Sequence, residues 1–235
     1  MNKKIITLSF DDGEDFDIKV ADRLREYGLM ATFYLCSSHI GMEGVLKGGY
    51  HDGRHFRKLK ANEIEKTYKD FEIGSHCENH QALAGMTENE IYDCIKRDID
   101  TFQKYSDRKI VCLAYPGGYT DDGIIEKLEK LKIVSYARGV IDGDGSYLPP
   151  QNQYKCIPTS HIFNENIYKL IDDFEADECD GLKIFHIYGH SYEIEWKRKN
   201  GWEQLDKLFA RLKKVKDADY LTNSEAYDIW KYGTV

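Results

Sequence analysis

From one end of the 235-residue chain to the other, short β-rich runs take turns with amphipathic helical patterns. A chain that alternates in this way buries its strands in a parallel sheet and covers them with the intervening helices. The pattern predicts strands over residues 4–11, 31–37, 71–76, 110–115, 133–137, 155–158 and 182–190. Helices are predicted over 16–27, stopped at Gly28, and over 61–69, 122–131, 164–173 and 202–215. Thr87 and Glu90 have the spacing of a capping box and open a further helix reaching about Tyr105. A short strand and a short helix are expected within 219–232. No Pro/Gly/Ser-rich linker and no shift in composition divides the chain, so the expectation is one α/β domain over residues 1–235, with about seven parallel strands closed as a (β/α) barrel.

A doubly wound nucleotide-binding sheet is the competing architecture. Its phosphate cradle needs a glycine-rich turn after the first strand, and that turn here reads Phe10-Asp11-Asp12-Gly13. Two carboxylates repel phosphate and attract a cation. Charge excludes other partners: 41 acidic residues outnumber 33 basic ones, and the lysines are scattered among acids, so no basic stripe exists to follow nucleic acid. Apolar runs fall far short of the roughly 20 residues of a membrane span. Only six residues separate Lys4 from Asp11, too few for the apolar stretch of a secretion signal. Six widely spaced cysteines without a C-x-x-C are expected to be free thiols, which suits a cytoplasmic location.

In an α/β barrel the functional groups gather at the C-terminal ends of the strands. Asp11 and Asp12, His76 and His80, Tyr115 to Gly118, and His186 and His190 all fall at predicted strand ends. Alone, an Asp-Asp-Gly turn or an H-x-x-x-H pair is most simply a turn or two surface histidines. Together, two neutral imidazoles and a carboxylate form a three-ligand set that leaves positions open on a cation, the arrangement of a catalytic rather than a structural metal.

The stretches Leu8-Ser-Phe-Asp-Asp-Gly13, Ser75-His-Cys-Glu-Asn-His80, Ala114-Tyr-Pro-Gly-Gly118 and Ile187-Tyr-Gly-His-Ser-Tyr-Glu193 resemble, in order, motifs of the polysaccharide deacetylases of carbohydrate esterase family 4. The resemblance implies a distorted (β/α) barrel, with Asp12, His76 and His80 binding a divalent metal. Zinc suits this ligand set best, and iron, cobalt and nickel also fit. It further implies Asp11 as general base, the Gly117 backbone N–H as an oxyanion donor and a late-strand histidine as general acid, for which His190 is preferred to His186. The family's usual arginine, two residues before the proline, is replaced by Ala114; Arg138 is the expected substitute beside Asp11. His161 follows a strand and could line the cleft. Tyr188, Tyr192, Trp196 and Trp202 offer faces for sugar rings or for the core, and residues 41–57, with His51 and His55, read as a rim loop.

The implied activity is metal-dependent removal of N-acetyl, or O-acetyl, groups from an acetylated carbohydrate. A carbohydrate-binding barrel with impaired catalysis is the alternative, and Ala114 is the feature that favours it. A barrel glycosidase would place two carboxylates on either side of a sugar bond, a poor match to adjacent Asp11 and Asp12.

Overall fold

The computed structural model describes residues 3–47, 52–141, 145–178, 180–196 and 199–233. The chain runs β1 (Lys3–Asp11), α1 (Asp17–Tyr27), β2 (Thr32–Leu35), the hairpin β3 (Glu43–Val45) and β4 (His55–Arg57), α2 (Ala61–Tyr68) and β5 (Glu72–Ser75). It continues through α3 (Glu88–Phe102), β6 (Cys112–Ala114), α4 (Asp122–Leu131), β7 (Tyr136–Arg138), β8 (Ser160–His161) and α5 (Ile167–Ala176). The last elements are β9 (Leu182–His190), α6 (Ser191–Trp196), α7 (Gly201–Leu212), β10 (Ala218–Tyr220) and α8 (Asn223–Tyr232).

Seven strands lie in the order β7-β6-β5-β2-β1-β9-β8, all parallel, and curl into a partial barrel as expected. β1 is its axis: it pairs with β9 along its whole length, from Lys3 opposite Leu182 to Asp11 opposite His190. Its other edge meets β2 at the upper end and β10 at the lower. Because side chains alternate along a strand, Ile6, Leu8 and Phe10 of β1 face outward and pack with Val20, Ala21 and Leu24 of α1. Thr7, Ser9 and Asp11 occupy the opposite, inner face and are buried there. This polar lining distinguishes the barrel interior from the apolar layer beneath the helices. At the lower end α8 packs Ala226 and Ile229 against Ile5.

Local chemistry sets the element boundaries. α1 stops where Gly28, at φ 59°, turns its N–H back to the carbonyls of Arg25 and Leu24. The Thr87–Glu90 capping box forms as expected and opens α3. The strand expected over 133–137 starts later, at Tyr136, because Lys132 ends α4 at φ 49° and the chain needs the next residues to turn. The strand expected over 155–158 does not form; only Cys156 bridges to Arg138. Pro158 has no N–H to extend a ladder, and pairing resumes with β9 at Ser160 and His161. The rim loop over 41–57 contains the β3–β4 antiparallel pair, and its His51 lies outside the described residues. Cys36, Cys77, Cys94, Cys112 and Cys156 are free thiols, while Cys179 lies outside the described residues. Among the described residues no helix is long and apolar enough to cross a membrane.

Candidate active site

Asp12 is the first residue beyond β1, and its backbone turns through φ 81°. That left-handed turn, unusual for a non-glycine residue, brings the carboxylate over the strand ends. Asp12 Oδ1 lies 3.3 Å from His80 Nε2 and 3.7 Å from His76 Nε2. One ligand atom from each of the three residues lies within 4.8 Å of the others. His76 and His80 converge across a turn after β5 rather than on a helix, with Cys77 at φ 62° and His80 at φ 57°.

The chemistry of these donors fits a divalent ion. His76 Nδ1 is 2.8 Å from the Ala114 carbonyl, which can only accept, so Nδ1 carries the proton and the Nε2 lone pair faces Asp12. Burial lowers the His76 pKa and keeps the ring neutral, as a ligand must be. Asp98 of α3 organises the turn from behind: its carboxylate accepts from Ser75 Oγ at 2.7 Å, from the His76 N–H at 3.1 Å and from the Ser37 N–H at 2.6 Å. Burial raises Asp98 to about 6 even against these hydrogen bonds. Around Asp12 the balance is opposite. Burial pushes its carboxyl up, but Lys58, with His190, His76 and His80, more than offsets this and leaves it below the ordinary carboxylate range.

Asp11, at the end of β1 and 2% exposed, is ion-paired with the Arg138 guanidinium, which is fully buried. Arg138 is the register partner of Ala114 on the neighbouring strand. The small Ala114 side chain leaves the inner face to the arginine, which sits over the rings of Tyr34 and Tyr188, 4.9 and 5.4 Å from their centroids. A cation therefore reaches Asp11 from β7, one strand beyond the position the family resemblance assigns to it.

The two late-strand histidines occupy different levels. His190 Nε2 is 4.0 Å from Asp12 Oδ2, while its Nδ1 lies 3.2 Å from Glu193 Oε2. The carboxylate can only accept, so Nδ1–H is donated to it and Nε2 is turned toward the cluster. Burial disfavours the charged ring, yet the hydrogen bond to Glu193 and the charges of Asp12 and Asp11 prevail, and the His190 pKa is raised. His161 joins the same carboxylate: its Nδ1 accepts from the Phe163 N–H at 3.2 Å, so its Nε2–H donates to Glu193 at 2.8 Å. His186 lies two pleats lower, beside Ser9 Oγ at 3.0 Å, and burial with the charge of Arg138 pushes it down to about 3.

Gly117 is exposed on the rim at φ 66°, in a tight turn where the Gly118 N–H bonds the Tyr115 carbonyl at 2.8 Å. Tyr192 and Trp196 run outward from His190, with ring centroids 4.9 Å and then 5.1 Å apart. Tyr188 is instead buried beside Arg138, and Trp202 lies under Lys19 on α1. Sequence reasoning misses Lys58, Asp98 and Glu193. Lys58 is buried, donating to the Asp12 carbonyl at 2.9 Å and paired with Glu14 at 2.9 Å. Of these, only Glu193 stood inside a quoted motif, and its three-residue spacing from His190 could have drawn attention to it.

Comparison with known proteins adds the following. A peptidoglycan-N-acetylglucosamine deacetylase of Bacillus cereus is 26% identical over 132 residues, 53% of this chain and 52% of that protein. The chain thus spans about half the length of the curated relative it matches. A family 4 acetyl xylan esterase from Clostridium thermocellum, solved in complex with a cobalt ion, superposes with a TM-score of 0.58 at 19% identity, covering 99% of this chain and 93% of that one. A family 4 pseudoenzyme from Bacillus anthracis superposes with a TM-score of 0.55 at 15% identity over 96% and 66% of the two chains. At these identities the structural likeness is one of fold. The model that describes polysaccharide deacetylases matches residues 1–136, more than half of the sequence, and the chain belongs to that family.

Proposed function

We propose that this chain is a divalent-metal-dependent deacetylase that hydrolyses N-acetyl groups, and by the same chemistry O-acetyl esters, on an acetylated glycan or oligosaccharide. The observation that carries the reading is the arrangement of two oppositely anchored groups around one ligand set: Asp11 held by the Arg138 cation, and His190 held by the Glu193 anion, beside Asp12, His76 and His80.

Asp12, His76 and His80 would hold the ion, with zinc the best match and iron, cobalt or nickel compatible with the same donors. When bound, a divalent cation supplies Lewis-acid polarisation of the acetyl carbonyl and acidifies water. Asp11, held by Arg138, takes the proton from the attacking water. His190, protonated with help from Glu193, gives a proton to the departing nitrogen or oxygen. The Gly117 N–H is the rim donor suited to the developing oxyanion, and Tyr192 and Trp196 extend from His190 as a surface on which a sugar ring can stack. Arg138 also removes the reason for favouring an impaired carbohydrate-binding barrel, since the cation missing at position 114 is supplied from β7.

Acetate release from an acetylated chitooligosaccharide, measured on chain of known metal content before and after chelation, tests the proposal. Turnover that stops on chelation and returns with added zinc is expected. Activity that survives complete metal removal overturns the mechanism, and bound metal without turnover across N-acetyl and O-acetyl substrates overturns the assignment as an enzyme.

A further inference from the structure

Below the catalytic level the partial barrel contains a second space. About four residues down β1 and β9 from Asp11 and His190, roughly 13 Å at the strand rise, a cavity of about 770 Å³ opens on the side between β7 and β9. Its volume lies within the range of small-molecule sites. Its floor is made of Thr7, His186 and Asn223, and one wall of Tyr136, Tyr227 and Trp230. The Tyr136 and Tyr227 rings are stacked at 5.4 Å, with Trp230 edge-on to Tyr227 at 5.5 Å. Leu148 and Ile157 stand at the mouth with Asp122, Glu126 and Lys155.

The floor is neutral and its hydrogen bonds are incomplete. Asn223 Nδ2, which can only donate, lies 3.4 Å from His186 Nε2, and Ser9 Oγ lies 3.0 Å from the same nitrogen. His186 Nε2 is therefore the acceptor, and the neutral ring carries its proton on Nδ1. Among the described residues Thr7 Oγ1 and Asn223 Oδ1 are buried without a partner. Such orphaned polar groups are costly unless something completes them. A donor, an acceptor and a hydroxyl, side by side on an uncharged floor beneath aromatic rings, complement a flat neutral group that presents an N–H next to a carbonyl. The deacetylation proposed for the site above uses none of these side chains.

We propose that this cavity is a second binding site, for a neutral planar ring amide of nucleoside size whose polar substituent reaches the mouth.

Titration calorimetry with uridine as the probe tests this on the whole chain. Uridine is expected to bind saturably with Kd at or below about 1 mM, and 3-methyluridine, which lacks the ring N–H, at least about tenfold more weakly. Ile157→Trp, at the half-exposed mouth, should weaken uridine binding by about tenfold or more while the Tm of the unliganded protein stays unchanged. Chelation of metal should leave uridine binding intact. No saturation by about 10 mM uridine, equal binding of the methylated probe, binding indifferent to Ile157→Trp, or binding of N-acetylglucosamine in place of uridine each overturns the proposal.

Discussion

Replacing Arg138 by methionine removes a buried cation while keeping an unbranched apolar side chain of similar reach. Asp11, 2% exposed, is then a buried carboxylate without its counter-charge. Two unit charges at hydrogen-bonding contact interact by about 5 kcal/mol at an effective dielectric constant of 20. Breaking one side of a buried pair typically costs about 3–5 kcal/mol, which agrees. For a chain of this size that corresponds to a fall in Tm of about 10 °C. Asp11→Asn alone strands the guanidinium in turn, whose Nε has no partner among the described residues and whose Nη1 donates to the Gly139 carbonyl at 3.1 Å. The Asp11→Asn/Arg138→Met double variant carries neither charge and should be more stable than either single variant. Chemical denaturation of all four proteins gives the coupling free energy. A value of at least about 2 kcal/mol is expected, and simple additivity to within about 0.5 kcal/mol would refute the argument that Asp11 and Arg138 act as one unit.

Glu193→Gln withdraws the anion that raises His190. In the proposed mechanism the protonated ring is the active form, so activity falls as pH rises through its pKa; the variant's alkaline limb should move to lower pH, with kcat at neutral pH reduced by about tenfold or more, and an unmoved limb would exclude Glu193 from this role. Asp98→Ala frees the His76 turn without touching an ion, and should weaken zinc binding by about 10- to 100-fold in a chelator competition. Asp17 is buried with a pKa of about 7, raised by desolvation, and its Oδ2 accepts from Tyr68 at 2.6 Å. A folded-state pKa above the unfolded value means stability that is complete below about pH 4 and lost as pH rises toward 7. Asp17→Asn should therefore gain on the parent protein over that interval, by a few kcal/mol at most, and parallel stability-versus-pH curves would count against it.

Much of the fold was written in local pattern. The Thr87–Glu90 box, the Gly28 stop and the alternation of apolar residues in β1 each depend on neighbours in sequence, and each formed where expected. Asp12, His76 and His80 were legible through spacing and strand-end position, which are short-range features, and the fold brings their ligand atoms within 4.8 Å of one another. The failures lie where a single local rule outweighed composition, as at Pro158, whose missing N–H broke an otherwise strand-like run. Lys58, Asp98 and His161 act through partners 22 to 46 residues away, such as the Asp12 carbonyl, the His76 N–H and Glu193. No periodicity encodes such meetings; only the closing of the sheet creates them. Arg138 became legible because its absence elsewhere had to be made good.

The register between β6 and β7 has an evolutionary corollary. Ala114 and Arg138 face each other across one ladder, and Arg138 carries its guanidinium from there to Asp11, so an arginine rooted at position 114 would set out from the adjacent rung. Natural selection can then move the arginine sideways between two rungs without rebuilding the pocket it serves. Lineages that look disarmed when motifs are read letter by letter would keep the same electrostatic field, and inactive members of such a family are better diagnosed by where charge sits in space than by which column of a pattern is vacant.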